Sequence, residues 1–307
     1  MRAAGITALG EPVEILELDE LATPAAGEVL IDVVAAGIGN WDDLVRMGSW
    51  EIGGPAPMAL GTSAAGTVAA AGSGVADLCE GDEVMTHPLP LRRHGTWADR
   101  LLAPAASVAA RPPEASWEPC GAFPIPALTA AQALDEALGI ESGDWVVVNG
   151  AGGVTGGLLV QLAAARGARV IATASAKKAE RIRGYGASEV LDYHDDWPPL
   201  VREITGGGAP KAVNAAPGQE TTTLKAVADG GRFATITTEP PAEERGIAVS
   251  DVYVRPDGRQ LSALGELLAA GTLSVPIASV RPLEQAAQAL REAVAGADGA
   301  IVLSLRT

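Results

Sequence analysis

A glycine-rich turn from Gly150 to Gly156 is the part of this 307-residue chain whose spacing most clearly suits chemistry. It follows an apolar run, 145–148, and precedes a helical apolar pattern. Bare backbone lets a pyrophosphate approach closely, and the N-terminus of the next helix offers N–H groups and a partial positive charge. The pattern predicts a dinucleotide site, although an ordinary turn between a strand and a helix is the alternative. The residues predicted to form it are Gly150, Ala151, Gly152, Gly153, Val154 and Thr155.

The residues after the next apolar run, 169–172, indicate which dinucleotide binds. An NAD site usually places Asp or Glu about 20 residues beyond the glycines, where the carboxylate binds the ribose hydroxyls. Here the chain has Ser175, followed by Lys177, Lys178 and Arg181. A hydroxyl and cations suit a 2′-phosphate, so the sequence favours NADPH over NADH. The alternative is that these cations are the solvated face of the next helix.

The elements around the turn alternate between short apolar runs and helical patterns, which is typical of a doubly wound parallel α/β sheet. A helix is predicted at 128–138, before the first strand of this region. The other strands are predicted at 169–172, 189–192, 212–215, 233–237 and 247–254, and the helices between them at 158–163, 177–185, 198–204 and 220–228.

The first 118 residues instead contain many short strands separated by Gly and Pro, a pattern typical of a compact barrel-like β domain. The tail has helical patterns at 259–270 and 283–294 and an apolar closing strand at 300–305. These residues either extend the parallel sheet or fold back on the N-terminal domain, and their pattern does not decide between the two.

The net charge, the cysteine spacing and the apolar segments of the chain limit the kinds of partner that it can bind. The formal net charge is −16, which argues against nucleic acid, and an anionic dinucleotide therefore needs a locally positive site. The two cysteines have no metal-type or disulfide spacing. We find no signal peptide and no membrane-spanning run, and we expect a cytoplasmic protein without membrane partners.

Several motifs, in order along nearly the whole chain, resemble those of the zinc-free medium-chain dehydrogenase/reductases of the NADPH:quinone oxidoreductase, zeta-crystallin-like branch. They are 61–66 (GTSAAG), 80–84 (EGDEV), 128–134 (LTAAQAL), 143–144 (GD), the glycine turn, 230–233 (GGRF) and 299–303 (GAIVL). The resemblance implies a GroES-like catalytic domain of β-barrel type, formed by 1–118 and 256–307, and a Rossmann NADPH-binding domain at 119–255. It also implies a cleft between the domains for nicotinamide and substrate.

The same resemblance implies roles for particular residues. Thr129 is expected near the nicotinamide, and Ser175, Lys178 and Tyr193 are expected to hold the adenosine 2′-phosphate. For Tyr193 the alternative is a half-buried residue at a strand end. The resemblance further implies a homodimer joined through edge strands, with 247–254 as the candidate.

The sequence also differs from the zinc-containing relatives at the places where their metal ligands lie. Alcohol dehydrogenases of this superfamily carry Cys and His zinc ligands at two places, which here read 37–41 (GIGNW) and 61–63 (GTS) and contain neither residue. We therefore expect no zinc. His87 and His94 lie in a Pro- and Arg-rich segment that we predict to be a loop at the cleft entrance without a metal.

Three residues are candidates for the substrate pocket: Asn40, Trp41 and Trp50. Asn40 could stabilise a developing oxyanion or simply satisfy a turn, and the tryptophans could stack on a flat substrate or fill the core. Asp42 and Arg46 are four residues apart, so we predict a structural ion pair. No catalytic residue is identified.

The sequence hypothesis is hydride transfer from NADPH to a quinone or an α,β-unsaturated carbonyl. The alternatives are an enoyl or ketone reductase of a biosynthetic pathway and a non-enzymatic NADPH-binding redox sensor.

Overall fold

The computed structural model describes residues 1–52 and 54–305. Its N-terminal part consists of short strands with two helices. The strands are β1 (Arg2–Ile6), β2 (Glu14–Glu17), β3 (Glu28–Ile38), β4 (Met58–Ala59), β5 (Ala64–Ala71), β6 (Glu83–Thr86), β7 (Arg100–Pro104) and β8 (Val108–Ala110). The helices are α1 (Trp41–Met47) and α2 (Trp117–Ala122), and a 3₁₀ turn covers Ala105–Ser107.

The middle of the chain alternates between strands and helices, as predicted. The strands are β9 (Trp145–Asn149), β10 (Arg169–Ala174), β11 (Ala187–Asp192), β12 (Ala209–Asn214), β13 (Val227–Thr235) and β14 (Ala248–Asp251). The helices are α3 (Pro124–Gln132), α4 (Val154–Ala165), α5 (Ala179–Gly184), α6 (Trp197–Thr205) and α7 (Glu220–Lys225). The helix predicted at 128–138 begins earlier, at Pro124, and its last turn, Ala133–Ala137, is a π-helix.

The tail contains α8 (Gly258–Ala269), β15 (Ile277–Pro282), α9 (Ala286–Val294) and β16 (Ala300–Ser304). Strand β16 pairs antiparallel with β3, so the tail folds back on the N-terminal strands and does not extend the parallel sheet. None of the helices in the described ranges combines the length and the apolarity needed to cross a bilayer.

The chain forms two compact units, Met1–Leu128 with Arg255–Thr307, and Thr129–Val254. The first boundary therefore follows Leu128, whereas the sequence analysis put it at 118. In the described residues of the first unit, one sheet has the order β2-β1-β4 and a larger one the order β15-β16-β3-β5-β6-β8, with β7 also paired to β3. The core of this unit includes the side chains of Ile6, Ile31 and Trp97.

The second unit contains a parallel sheet of order β11-β10-β9-β12-β13-β14. Its central strand β9 has valines at 146–148, all fully buried, because helices cover both faces of a doubly wound sheet. The strand order reverses between β9 and β12, and ligands of such sheets bind outside the carboxyl ends of the strands at this point. The predicted α/β class, a Rossmann-type sheet with a separate β domain, is confirmed.

Candidate functional site

A cavity of about 400 Å³ lies in the second unit at the carboxyl edge of the parallel sheet. It contains six of the ten residues predicted for the cofactor: Gly150, Gly152, Gly153, Ser175, Lys178 and Tyr193. The other residues that line it are Asn149, Thr173, Ala174, Trp197, Ala216 and Gln219. The cavity thus lies at the switch point, where the ends of β9, β10 and β12 meet.

Two glycines of the turn are required by its geometry. Gly150 has a φ of +84°, and an added Cβ would lie 2.9 Å from the backbone of Ala215. A Cβ on Gly156 would lie only 2.1 Å from the carbonyl oxygen of Gly150. Gly153 precedes α4 and makes no side-chain capping bond, so the first N–H groups of the helix have no side-chain cap to satisfy them. This bare helix N-terminus fits a pyrophosphate.

Four predicted cofactor residues do not line the cavity. The Ala151 side chain is buried, and its N–H donates to the carbonyl of Thr173 at 3.0 Å. Val154 and Thr155 form the start of α4. Thr129 is a buried residue of α3. The structure thus gives Ala151 a packing role in the turn and does not bring Thr129 to this cavity.

Two cations contact the glycine turn. Lys178 Nζ donates to the carbonyl oxygen of Gly152 at 3.0 Å, and Arg181 Nη2 donates to the same oxygen at 3.4 Å. The Lys178 stem crosses the turn, since a Cβ on Gly152 would lie 2.9 Å from Lys178 Cδ. Lys177, by contrast, is exposed and does not line the cavity. Positive charge therefore lies directly on the turn, as an anionic ligand requires.

Tyr193 lines the cavity with about half of its side chain exposed, 52%. Its ring lies 4.0 Å, centroid to centroid, from that of His194. Ser175 follows β10 and makes no capping bond with its hydroxyl. Both residues therefore line the cavity in which the sequence analysis expects a ribose phosphate.

A second polar cluster lies in the first unit around Trp41. The Trp41 Nε1–H donates to Thr62 Oγ1 at 3.1 Å, and the indole covers Gly39, where an added Cβ would lie 2.2 Å from the ring. Asp42 is fully buried beside them. Its Oδ2 accepts the Gly39 N–H at 2.8 Å, and its Oδ1 accepts from the Thr62 hydroxyl at 3.4 Å.

The predicted ion pair between Asp42 and Arg46 is wrong. Arg46 Nε instead pairs with Asp43 Oδ1 at 2.7 Å, three residues away, because Asp43 lies on the partly exposed side of α1 and Asp42 faces inward. Burial raises the pKa of the Asp42 carboxyl to about 7, against the smaller opposing effects of its hydrogen bonds to Gly39 and Thr62.

His87 and His94 are both buried, which their position in a Pro- and Arg-rich segment did not predict. His87 Nδ1 lies 2.7 Å from the Thr62 carbonyl, which can only accept, so this nitrogen carries the proton. Burial lowers the pKa of His87 to about 4, and the ring is therefore neutral at pH 7. Its Nε2 has no partner among the described residues.

The two remaining pocket candidates differ in their surroundings. Asn40 is exposed and precedes α1, and its side chain makes no capping bond. Trp50 is partly buried and packs against the hydrophobic core of the first unit. The structure therefore supports the core alternative for Trp50 and leaves the Asn40 amide at the surface beside Trp41.

Comparison with known proteins identifies the family. The model of the alcohol dehydrogenase GroES-like domain matches residues 25–113, and that of the zinc-binding dehydrogenases matches residues 185–303. A probable quinone oxidoreductase of Schizosaccharomyces pombe is 32% identical over 225 residues, which cover 72% of this chain and 67% of that protein. The chain belongs to the medium-chain dehydrogenase/reductases, in the quinone oxidoreductase branch.

Two further similar proteins show how far the likeness extends. The structure of an NAD-dependent alcohol dehydrogenase is 31% identical, covers all of both chains and superimposes with a TM-score of 0.89. The rat synaptic vesicle membrane protein VAT-1 homologue is 30% identical over 200 residues, 64% of this chain. The match spans about half of that relative's length, 48%.

The zinc that alcohol dehydrogenases of this superfamily bind has no Cys or His ligand in the two corresponding segments of this chain, 37–41 and 61–63. The two segments that carry its ligands in zinc-containing relatives meet here through Trp41 and Thr62, and the indole occupies the space over Gly39. Within the described residues, no group of three or more His, Cys, Asp or Glu side chains could hold a metal ion. An indole N–H and a threonine hydroxyl are not zinc ligands.

A polar network beneath the cofactor cavity was missed by the sequence analysis. It joins Asn149 and Asn214, the last residues of β9 and β12, through a 2.9 Å hydrogen bond. The available signal was an amide at the end of two buried apolar runs, VVVN and AVN. A buried amide must find partners, but only the sheet order shows that these two meet.

Proposed function

We propose that this protein is a zinc-independent, NADPH-dependent oxidoreductase that transfers hydride to a quinone or an α,β-unsaturated carbonyl. The observation that carries the proposal is the cavity at the switch point, where the glycine turn, the start of α4 and two cations meet. NADPH supplies the hydride when it is bound, and the protein's part is to bind and orient it.

The pyrophosphate is assigned to the bare N-terminus of α4 and the glycines before it. The adenosine 2′-phosphate is assigned to Ser175, Lys178 and Tyr193, at the cavity rim. None of the described residues that line the cavity is Asp or Glu. Lys178 would exchange the Gly152 carbonyl for a phosphate oxygen, and a hydrogen bond between two charged groups is the stronger one.

Titration of the purified protein with NADPH and with NADH tests the cofactor. We expect NADPH to bind at least about tenfold more tightly, which corresponds to roughly 1.4 kcal/mol from a well-placed phosphate contact. Equal affinities would refute the preference for NADPH. Binding of neither dinucleotide would refute the site itself.

The acceptor class rests on membership of the quinone oxidoreductase branch and on the residues around Trp41. With no zinc ligands there, the chain offers no Lewis acid for an alcohol or an unactivated ketone. A conjugated acceptor needs less activation, because hydride addition gives a stabilised anion, the hydroquinone monoanion or an enolate, which water can protonate. Trp41 and the exposed Asn40 amide are the side chains proposed to contact it.

Activity assays with NADPH and a panel of electron acceptors test the proposed acceptor class. We expect turnover of quinones or enones, together with a zinc content far below one atom per chain by elemental analysis. Turnover of enoyl thioesters or ketones alone would favour the biosynthetic reductase, and tight NADPH binding without oxidation would favour the redox sensor. Stoichiometric zinc would overturn the metal-independent assignment.

We also propose a homodimer joined through β14, which forms one edge of the parallel sheet in the described residues. An unpaired edge presents backbone donors and acceptors that a second copy can satisfy.

A further inference from the structure

A network of buried hydrogen bonds crosses the carboxyl edge of the parallel sheet, and its hub is Asn214, which is fully buried. Asn214 Oδ1 accepts from Asn149 Nδ2 at 2.9 Å and from Thr223 Oγ1 at 3.1 Å. Asn214 Nδ2 donates to the Ala216 carbonyl at 3.0 Å and to Thr237 Oγ1 at 3.2 Å. Both N–H donors of this carboxamide are used and its oxygen accepts from Asn149, so the orientation of the side chain is fixed.

One arm of the network reaches the glycine turn. Asn149 Nδ2 points to Asn214, while its Oδ1 accepts from the Thr173 hydroxyl. The Thr173 oxygen in turn accepts the N–H of Gly150 at 3.0 Å. The hub is therefore connected to the first glycine of the turn through two buried side chains, and both of these side chains line the cavity.

The other arm reaches a strained segment after β13. The Thr237 hydroxyl, which accepts from Asn214, donates to Glu220 Oε1 at 2.6 Å, and Glu220 is only 6% exposed. The next residue, Thr238, has a φ of +67°. A left-handed conformation is strained for a β-branched residue, so it persists only where the surrounding structure holds it. Thr237, the residue before Thr238, is held in place by its hydrogen bonds to Asn214 and Glu220.

The two arms of the network lie on opposite sides of the switch point, which a bound dinucleotide would span. In a doubly wound sheet the ligand lies across the switch point, with one half on each side of it. The glycine turn and β10 belong to the side of the adenosine half, since the predicted 2′-phosphate residues follow β10. β12 and β13 lie on the opposite side of β9, where the nicotinamide half must then lie.

We propose that Asn214 and Thr237 are positioning residues, which hold the segment at 237–238 for the nicotinamide half of the bound dinucleotide and couple it to the glycine turn. The inference rests on the proposed cofactor site and adds to it a set of residues on the nicotinamide side. It predicts that loss of the Thr237 hydroxyl weakens binding of the whole dinucleotide but not of its adenosine half.

The test uses Thr237→Val, which keeps the shape of the side chain and removes the hydroxyl. Thr237 is partly exposed, but its hydroxyl bonds to the buried side chains of Asn214 and Glu220, so its loss can also lower stability. Thr237→Ser restores the hydroxyl, and Thr221→Val changes an exposed threonine of α7 as a matched control. The ligands are NADPH and 2′,5′-ADP, which lacks the nicotinamide half, and thermal unfolding is followed in parallel.

For Thr237→Val we expect the Kd of NADPH to rise about tenfold and that of 2′,5′-ADP to stay within twofold of the wild type. Thr237→Ser and Thr221→Val should both bind NADPH like the wild type. Unchanged NADPH binding in Thr237→Val, or an equal loss for both ligands, would overturn the positioning role while the cofactor site stands. A wild-type protein that binds neither ligand would instead overturn the proposed function.

Discussion

The buried carboxyl of Asp42 should give this protein an unusual dependence of stability on pH. Burial raises its pKa from 3.8 to about 7, so between these pH values the folded chain keeps a proton that the unfolded chain has lost. Stability from this group therefore falls as the pH rises through that window. A surface carboxylate in an ion pair, whose pKa is lowered, has the opposite effect.

His87 opposes Asp42 over most of the same range. Burial lowers the pKa of His87 from 6.5 to about 4, so between these values the unfolded chain binds the extra proton. The contribution of His87 to stability rises with pH and is lost on acidification. Between about pH 4 and 6.5 the two groups therefore change the free energy of unfolding in opposite directions. The pH dependence of the wild-type protein shows neither effect separately.

Asp42→Asn should separate them. The amide oxygen can still accept the Gly39 N–H, and the amide nitrogen can donate to Thr62 Oγ1, so the geometry around Trp41 is kept. A change in pKa from 3.8 to about 7 corresponds to roughly 4 kcal/mol, at about 1.4 kcal/mol per pH unit. The stability of the variant relative to the wild type should therefore increase by up to about 4 kcal/mol between pH 4 and pH 8.

Urea unfolding followed by tryptophan fluorescence at pH 4.5, 6 and 8 measures this difference. All other titrating groups are common to the two proteins, so their effects cancel in the comparison. Asp43→Asn is the matched control, because Asp43 is partly exposed and pairs with Arg46. This variant should not show the rise in stability relative to the wild type. If Asp42→Asn does not show it either, the buried carboxyl is ionised at low cost and the reasoning fails.

Three further predictions concern the cofactor site and assembly. Gly156→Ala should abolish measurable NADPH binding in titrations, since its Cβ would lie 2.1 Å from the Gly150 carbonyl; Gly184→Ala, with open space around it, should bind normally. Lys178→Met should keep the stem over Gly152 but weaken NADPH binding about tenfold more than NADH binding, whereas Lys177→Met should change neither; an equal loss for both would remove Lys178 from the 2′-phosphate site. Sedimentation should give a mass about twice the 31.0 kDa of one chain, and a monomer would refute pairing through β14.

The parallel sheet could be predicted because its signals are local. The valines at 146–148 form a continuous apolar run, and the glycine turn and the pattern of α4 follow directly. Strand β15 was missed because its burial alternates along Ile277–Pro282, with Ala278, Val280 and Pro282 exposed. An edge strand with one covered face carries a weaker pattern than a central one.

The side-chain clusters could not be predicted because their contacts join distant parts of the chain. Asn149 and Asn214 are 65 residues apart, and His87 and Thr62 are 25 apart. For Arg46, the spacing allowed a partner at Asp42 or at Asp43, and only the buried face of α1 decides between them. Sequence spacing indicates which residues of one helix could form an ion pair, and packing decides which of them do.

The distribution of charge explains how a protein of net charge −16 could bind a dinucleotide anion. Exposed charges are screened beyond about 8 Å at physiological ionic strength, so the field at the turn is set by its nearest groups. Those are the N-terminus of α4 and the cations Lys178 and Arg181, which contact Gly152.

The side chains at the ends of the neighbouring strands add no negative charge to the turn. The last residues of β9 and β12 are Asn149 and Asn214, which are neutral amides rather than carboxylates. The buried carboxyl group of the network, that of Glu220, accepts from Thr237 and does not line the cavity. Local arrangement rather than total charge therefore makes the site compatible with phosphate.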